Sequence, residues 1–185
     1  ECSWPYAGNP ENPAVLVHVI PLGEHDGMIS ENPSGADNQQ ERPGIEQWIV
    51  GFVDGEGCFS ISVVRNTVCR LGWQVQHEFS VTQAATSRIA LDVLVDWFGC
   101  GKVIENRRHD VRNDQLLRFS VKRRRDLIEY IVPFFEEHPL ITKKRVDFGM
   151  FSAVLQMMED RQHLSEAGLA EIALITERMN RRQRS

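Results

Sequence analysis

Two acidic residues, Asp54 and Glu56, stand where an apolar run meets three glycines in the segment WIVGFVDGEGCFSI. Apolar residues recur at helical spacing from position 45 to position 52, so both acids fall in the last turn of a predicted helix, whose dipole disfavours anions. Carboxylate oxygens are hard ligands that suit Mg²⁺, which shares its coordination with phosphate oxygens. The pattern therefore indicates either a metal and phosphate site or acids that only cap and solvate the helix end. For Asp54 we favour a partly structural role, in which it holds backbone amides at the turn.

The same helix carries two glycines four positions apart, which form one bare stripe along its surface. A bare stripe lets a second backbone approach closely, although each glycine inside a helix costs about 1 kcal/mol relative to alanine. We expect the helix to pair with its counterpart in a second copy of the chain, so that two Glu56 carboxylates meet with a cation between them. The predicted interface residues are Trp48, Gly51, Phe52, Asp54 and Gly55.

The chain after Gly57 predicts an α+β fold in which each of two helices is followed by a pair of strands. Apolar and polar residues alternate along each strand, and helical periodicity returns between the pairs and after them. This order indicates a four-stranded antiparallel sheet backed by helices on its apolar face. Pro133 is expected to kink the third helix or to open a new turn, and Thr142 and Ser165 are expected to cap the last two helices.

The other face of the predicted sheet carries short or amide side chains rather than the lysines and glutamates of an ordinary solvated face. Such side chains can hydrogen-bond to base edges in the major groove of DNA, which admits a two-stranded ribbon. A plain wet sheet face is the alternative. The candidate DNA contacts on the first strand pair are Ser60, Ser62, Val64, Asn66, Gln74, Gln76, Glu78, Ser80 and Thr82.

The net charge of −5 hides an uneven distribution of charge along the chain. Residues 1–44 hold seven acids and one base, whereas residues 102–125 hold nine bases and three acids. Local charge decides the attraction to phosphate more than the total does, although a solvated charged surface is the alternative for such a run. The candidate DNA contacts on the second strand pair are Lys102, Asn106, Arg107, Arg108, Arg112, Gln115, Arg118 and Lys122. Three further arginines, at positions 123–125, are expected to face phosphates or solvent.

Composition divides the chain into three parts and indicates an intracellular protein. Residues 1–44 are rich in Pro, Gly, Asn and Glu and are expected to form a poorly ordered extension; residues 45–160 are the core, and residues 161–185 are a C-terminal helix with a basic tail. The four cysteines lack CxxC spacing and are expected to be reduced thiols. No membrane span or secretory signal is evident, so a cytoplasmic, nucleoid or organellar location is expected rather than secretion.

The segment IVGFVDGEG resembles the signature of the LAGLIDADG homing endonucleases at Gly51, Asp54, Glu56 and Gly57. Three other segments extend this resemblance: FSVTQ with the helix that follows it, PLITKKRVDF, and DRQHLSEAGL near the C-terminus. Where the family often has a basic residue shortly after the glutamine of FSVTQ, this chain has Ser87 followed by Arg88.

The resemblance implies an αββαββα fold whose saddle-shaped sheet straddles double-stranded DNA, and a site-specific, intron-encoded endonuclease that hydrolyses phosphodiester bonds with Mg²⁺. Mn²⁺ is expected to substitute, and no small-molecule cofactor or membrane is implied. Glu56 would bind the metal together with Gly55, and Gln83 would position the attacking water. Lys144 or Lys143 would stabilise charge at the scissile phosphate. A single motif implies a homodimer on a pseudo-palindromic site; an RNA-splicing maturase or an inactive DNA-binding regulator of the same fold is the alternative.

Overall fold

The structure, a computed structural model, describes residues 44–106 and 115–183. The described residues belong to one compact unit of the chain. Its helices are α1 (Ile45–Glu56), α2 (Arg88–Phe98), α3 (Arg124–Asp126, a π-helical turn at Leu127–Ile131, and Val132–Glu137), α4 (Lys144–Glu159) and α5 (Glu166–Gln183). Its strands are β1 (Gly57–Arg65), β2 (Trp73–Ala84), β3 (Lys102–Glu105) and β4 (Leu116–Val121).

The four strands form one antiparallel sheet in the order β1-β2-β4-β3. The two strand pairs therefore meet in the middle of the sheet, where β2 bonds to β4. This arrangement confirms the predicted α+β fold, because each strand pair follows its own helix and the buried apolar residues alternate along β1, β2 and β4. Within the described residues, none of the helices combines the length and apolarity that a membrane crossing requires.

An aromatic cluster joins the sheet to the helices that cover it. The Phe59 ring on β1 lies 4.9 Å from the Phe79 ring, 5.5 Å from Phe135 on α3 and 5.4 Å from Phe151 on α4, measured between ring centroids. All four side chains are at most 2% exposed. Burying a side chain of this size contributes about 1.5 to 3 kcal/mol, so this cluster holds the helices against one face and leaves the other to the polar residues.

The helix ends agree with the residues predicted to cap them. The Gly168 N–H donates to Ser165 Oγ at 3.1 Å, and the Lys144 N–H donates to Thr142 Oγ1 at 3.2 Å. Pro133 is the second residue of Val132–Glu137, the α-helical part of α3 that follows the wider π-helical turn. This position suits a residue that cannot donate a backbone hydrogen bond. The last helix, α5, packs onto the rest of its unit through Ile172 and Met179, which are 0% and 2% exposed.

Candidate active site

Glu56 is the last residue of α1 and is exposed to solvent. The chain passes directly from this helix into β1 because the next residue is glycine. A Cβ atom at Gly57 would meet Val53 Cγ1 at 2.5 Å and the Val53 carbonyl oxygen at 2.7 Å, and the backbone oxygen cannot move aside without breaking the helix end. Gly57 therefore permits the abrupt helix-to-strand junction that presents the Glu56 carboxylate at the end of the sheet.

Lys144 is the lysine that reaches this helix end. Its Nζ donates to the Gly55 carbonyl at 2.7 Å and to the Val53 carbonyl at 3.1 Å. The Val53 carbonyl also accepts from the N–H of Gly57, which caps the helix. Burial lowers the pKa of Lys144 below its usual 10.5, although the neighbouring Glu56 carboxylate acts in the opposite direction. The side chain of Lys143 is exposed at the start of α4, so the geometry favours Lys144 for the role that the sequence left open between the two.

Asp54 joins the end of α1 to the start of α4. Its Oδ2 accepts from the Ile141 N–H at 2.8 Å, and its Oδ1 accepts from the Thr142 hydroxyl at 2.7 Å and from the Thr142 N–H at 3.3 Å. The prediction that Asp54 accepts hydrogen bonds from backbone amides is thus confirmed. The amides, however, belong to a segment that begins 87 residues later in the chain, and not to the turn that contains Asp54. The Asp54 carboxylate is therefore bonded within the chain, and its place in the helix interface stays a prediction.

Gln83 lies at the same end of the sheet as Glu56. The pairing of β1 with β2 begins at Gly57 opposite Val81, so Gln83 extends two residues beyond that pair, and it lies opposite Leu117 of β4. The side chain is half-buried. The register thus brings the predicted glutamine to the region where α1 ends, although the two residues are 27 positions apart in the sequence.

Most of the remaining predicted contacts among the described residues share one surface, the polar face, defined as the side of the sheet that carries Ser60, Gln76, Glu78, Thr82 and Arg118. The register places Ser60 opposite Glu78 and Thr82 opposite Arg118, as the alternation predicted. Ser80 is the exception, since it is only 6% exposed between its neighbours Cys58 and Ser120, and we exclude it from the proposed contacts. The other predicted contacts that are half-buried or exposed are Ser62, Val64, Asn66, Gln74, Lys102, Asn106, Gln115 and Lys122.

Several of these polar side chains bond to one another. Asn66 Nδ2 donates to Gln74 Oε1 at 2.9 Å, and Gln115 Nε2 donates to Glu105 Oε1 at 3.1 Å. Arg107, Arg108 and Arg112 lie outside the described residues. The three arginines at the start of α3 and just before it are each paired with an acid: Arg123 with Asp126, Arg124 with Glu159, and Arg125 with Glu129.

Sequence reasoning missed two residues on this side of the sheet, Cys58 and Ser120, although Ser120 is only 3% exposed and, like Ser80, is not a proposed contact. Both belong to a row that runs across all four strands, from Cys58 through Ser80 and Ser120 to Lys102. The alternation within LLRFSV, which places Ser120 two residues after Arg118 and on the same face, was the signal that could have identified Ser120. Burial raises the pKa of the Cys58 thiol, and the Lys144 and Arg118 charges oppose that rise.

The oxygen donors near α1 are few within one chain. Among residues 44–106 and 115–183, no group of three or more His, Cys, Asp or Glu side chains gathers as a metal cluster. The Glu56 carboxylate and the Gly55 carbonyl are both hard oxygen donors, which is the chemistry that Mg²⁺ accepts. Gly55 O already accepts from Lys144, but a carbonyl oxygen has two lone pairs and can make a second contact. These two donors fit a divalent ion only if further oxygens come from a second copy, from phosphate or from water.

A helix-strand-strand repeat with an acid at the end of a glycine-striped helix defines a recognisable class of α+β proteins. Residues 49–155 match the family model described as LAGLIDADG endonuclease. The chain therefore belongs to the LAGLIDADG endonuclease family, as the resemblance of its motif predicted.

Individual relatives agree with this assignment. The homing endonuclease I-TnaI, whose crystal structure is known, is 41% identical with a TM-score of 0.65, over 74% of this chain and 93% of that chain. I-LtrWI, solved bound to target DNA, is 31% identical with a TM-score of 0.64, over 80% of this chain and 46% of that one. A probable intron-encoded endonuclease of Neurospora crassa is 31% identical over 74% of this chain, which spans only 25% of that relative. The chain thus spans about a quarter of the length of the Neurospora protein.

Proposed function

We propose that the chain acts as a site-specific endonuclease that cuts both strands of double-stranded DNA, as a homing endonuclease encoded within an intron. The observation that carries the proposal is the exposed Glu56 carboxylate, presented by a helix end that Lys144 also contacts, at the border of the polar face. The family assignment and the DNA-bound state of I-LtrWI support it. An intracellular location, in the compartment that holds the target DNA, is part of the proposal.

In this proposal Glu56 and the Gly55 carbonyl hold a divalent ion. The ion is Mg²⁺, for which Mn²⁺ can substitute. When bound, such an ion activates water and stabilises the leaving oxygen in phosphodiester hydrolysis. Lys144 donates a hydrogen bond to a phosphate oxygen at the same place, because its ammonium is already held against the end of α1. Gln83 orients the attacking water through its amide.

The proposal includes a homodimer in which α1 packs against its counterpart. A Cβ atom at Gly51 or at Gly55 would meet nothing within 4 Å, so the glycine stripe lies open on this chain. Trp48 and Phe52 flank the stripe, with their rings stacked at 5.0 Å. Packing of these surfaces would bring two Glu56 side chains together, and two copies of the polar face would then meet a pseudo-palindromic DNA site.

The Glu56→Gln variant tests this function directly, because it keeps the size of the side chain and removes its charge. We expect DNA binding to persist and cleavage to fall by on the order of 100-fold or more, since the ion would lose a ligand. The assay is cleavage of a plasmid that carries the uninterrupted form of the gene's own locus, with Mg²⁺ or with EDTA. Glu46→Gln, at the other end of α1, is the matched control and should cut normally.

Three outcomes would contradict the proposal. Full cleavage by Glu56→Gln would remove the acid from the mechanism. Binding without cleavage by the unaltered chain in Mg²⁺ would instead favour the inactive regulator, and binding to intron RNA in preference to the DNA site would favour the maturase.

A further inference from the structure

An acid lies in the middle of the polar face. Glu78 of β2 has a side chain that is only 17% exposed, and each of its carboxylate oxygens faces a cation. Its Oε1 accepts from the Ser120 hydroxyl at 2.6 Å and lies 3.7 Å from Arg118 Nη1, while its Oε2 lies 3.7 Å from Lys122 Nζ. A negative charge on a surface that binds a polyanion would ordinarily weaken binding, so its position needs an explanation.

Arg118 is held on two sides. Its Nη1 faces Glu78, and its Nη2 donates to Asn106 Oδ1 at 3.2 Å. Its side chain is 29% exposed, whereas that of Lys122 is 63% exposed. The guanidinium is a planar fork that suits paired acceptors such as O6 and N7 of guanine, and fixing it in advance reduces the entropy lost when it makes those bonds.

We propose that Glu78 is a positioning residue for specificity: it holds Arg118 in one orientation for base edges and offsets the charges of Arg118 and Lys122 towards phosphates. The inference rests on the proposed function, because it requires that the polar face binds DNA. Sequence-independent affinity comes from cations that neutralise phosphates, whereas sequence is read by hydrogen bonds in the groove. Glu78 therefore weakens sequence-independent binding to phosphates and favours the reading of sequence by hydrogen bonds to bases.

Direct contact between Glu78 and a base is the competing role, since a carboxylate can accept from the N4 amine of cytosine. The low exposure of its side chain, the hydrogen bond from Ser120 and the two cations at 3.7 Å favour the positioning role. The two roles differ in how Arg118 is involved, and an experiment can separate them.

The test uses the full chain in EDTA, so that DNA is bound but not cut, and begins by selecting bound sequences from a random duplex library. Affinity is then measured for a selected duplex and for a scrambled duplex of the same length, over a range of salt concentrations. We expect Glu78→Gln to bind the scrambled duplex more tightly, to steepen its salt dependence by up to about 0.9 in log–log slope, and to lower the selected-to-scrambled ratio by about tenfold.

Matched variants locate the effect. Glu129→Gln removes the same charge from the acid that pairs with Arg125 on α3, and should leave the ratio unchanged. In an Arg118→Gln background, Glu78→Gln should cause no further loss of specificity, because it acts through that arginine. Ser120→Ala, which removes the donor to Glu78 Oε1, should change the ratio in the same direction by a smaller factor, and it keeps the test decisive if Glu78→Gln fails to fold.

An unchanged ratio in Glu78→Gln and Ser120→Ala would overturn the inference and leave the proposed function standing. A preference that switches at one base pair, independently of Arg118, would overturn it in favour of direct contact. If the unaltered chain selects no sequence from the library, the proposed function fails and the inference fails with it.

Discussion

Asp54 and Glu56 lie two residues apart at the same helix end, but their surroundings divide their roles. The Asp54 carboxylate accepts three hydrogen bonds from Ile141 and Thr142, and so connects α1 to α4. Glu56, the last residue of α1, is exposed to solvent. Because the Thr142 hydroxyl also accepts from the Lys144 N–H, the structural acid indirectly places the lysine that contacts the end of α1.

Replacing Asp54 with asparagine tests the structural half of this division. Hydrogen bonds to a charged acceptor contribute roughly 1.5 to 3 kcal/mol, while removing an anion from a helix C-terminus returns only about 0.3 to 1 kcal/mol. We therefore expect Asp54→Asn to lower the free energy of unfolding by about 1 to 2 kcal/mol, measured by urea denaturation. Asp92→Asn, which removes an exposed i,i+4 partner of Arg88, should cost about 0.5 kcal/mol or less. Equal losses in the two variants would contradict the role given to Asp54.

The lowered pKa values of two histidines predict how the free energy of unfolding changes in mild acid. Burial lowers the pKa of His77 and of His163 below the usual 6.5, and the positive charge of Arg124 acts in the same direction on both. As the pH falls through 6.5, these histidines take up protons in the unfolded chain before they do so in the folded chain. The free energy of unfolding is therefore highest above pH 6.5 and decreases as the pH falls below it. It becomes constant again once the pH is below the lowered pKa values of the folded chain.

Urea midpoints measured from about pH 8 to about pH 5 should decline through this window, where few other side chains titrate. A double variant, His77→Gln with His163→Gln, should show a flatter profile. A midpoint that rises on acidification, or a decline of the same size in the double variant, would refute this explanation.

At the scale of elements, α1 has two surfaces with different purposes. Ile49 and Val53 are fully buried and attach the helix to its own chain. Gly51 and Gly55 lie exposed on the stripe, where an added Cβ atom would meet nothing within 4 Å among the described residues. A helix of 12 residues is too short to be stable without packing, so the buried residues support it and the stripe remains for a partner.

Gly51→Leu is expected to separate folding from assembly. The chain has room for the added side chain, and glycine is about 1 kcal/mol poorer than alanine inside a helix, so the monomer should stay folded. The self-association constant, measured by analytical ultracentrifugation, should nevertheless fall by at least about tenfold, because two helices could no longer approach closely. Gly149→Leu on α4, where a Cβ would also meet nothing within 4 Å, is the matched control and should associate normally.

Other results would change the assembly that we propose. Association that survives Gly51→Leu would place the interface elsewhere on the surface. A chain that is monomeric throughout, yet cuts DNA, would mean that one copy of the motif suffices or that its partner helix belongs to another chain.

At the scale of the whole molecule, charge is arranged by surface rather than by total. The chain carries a net charge of −5, yet Lys102, Arg118 and Lys122 share the polar face. The arginines at positions 123–125 are instead paired with acids at the start of α3 and on α4. Attraction to DNA should therefore come from particular cations on one side of the molecule.

The salt dependence of DNA binding tests this distribution. Each cation that neutralises a phosphate contributes about 0.9 to the slope of log K against log salt, so Lys102→Ala should reduce the slope by nearly that amount if it contacts a phosphate. Arg125→Ala, which removes a base paired with Glu129, should leave the slope unaltered. Fluorescence anisotropy on a labelled duplex measures both, and equal changes would indicate that net charge alone governs binding.

Local patterns predicted the order of helices and strands because each depends on neighbouring residues. The alternation along Phe59–Val63 and the glycine that follows Phe98 are visible in short stretches, and the structure has β1 and the end of α2 where these patterns place them. The choice between Lys143 and Lys144 was not local in this way. Adjacent residues of a helix point about 100° apart, so only the packing of α4 against α1 decides which of the two reaches Gly55.

The sequence by itself determined the α+β fold, the family and the acid at the end of a glycine-striped helix, because periodicity and motif spacing are written within about a dozen residues. Tertiary structure alone decided that Asp54 bonds to Ile141 and Thr142, that Ser80 is buried, and that Glu78 lies between Arg118 and Lys122. Each of those outcomes depends on residues brought together from distant parts of the chain by strand register and helix packing, and no local pattern encodes the distances between their atoms.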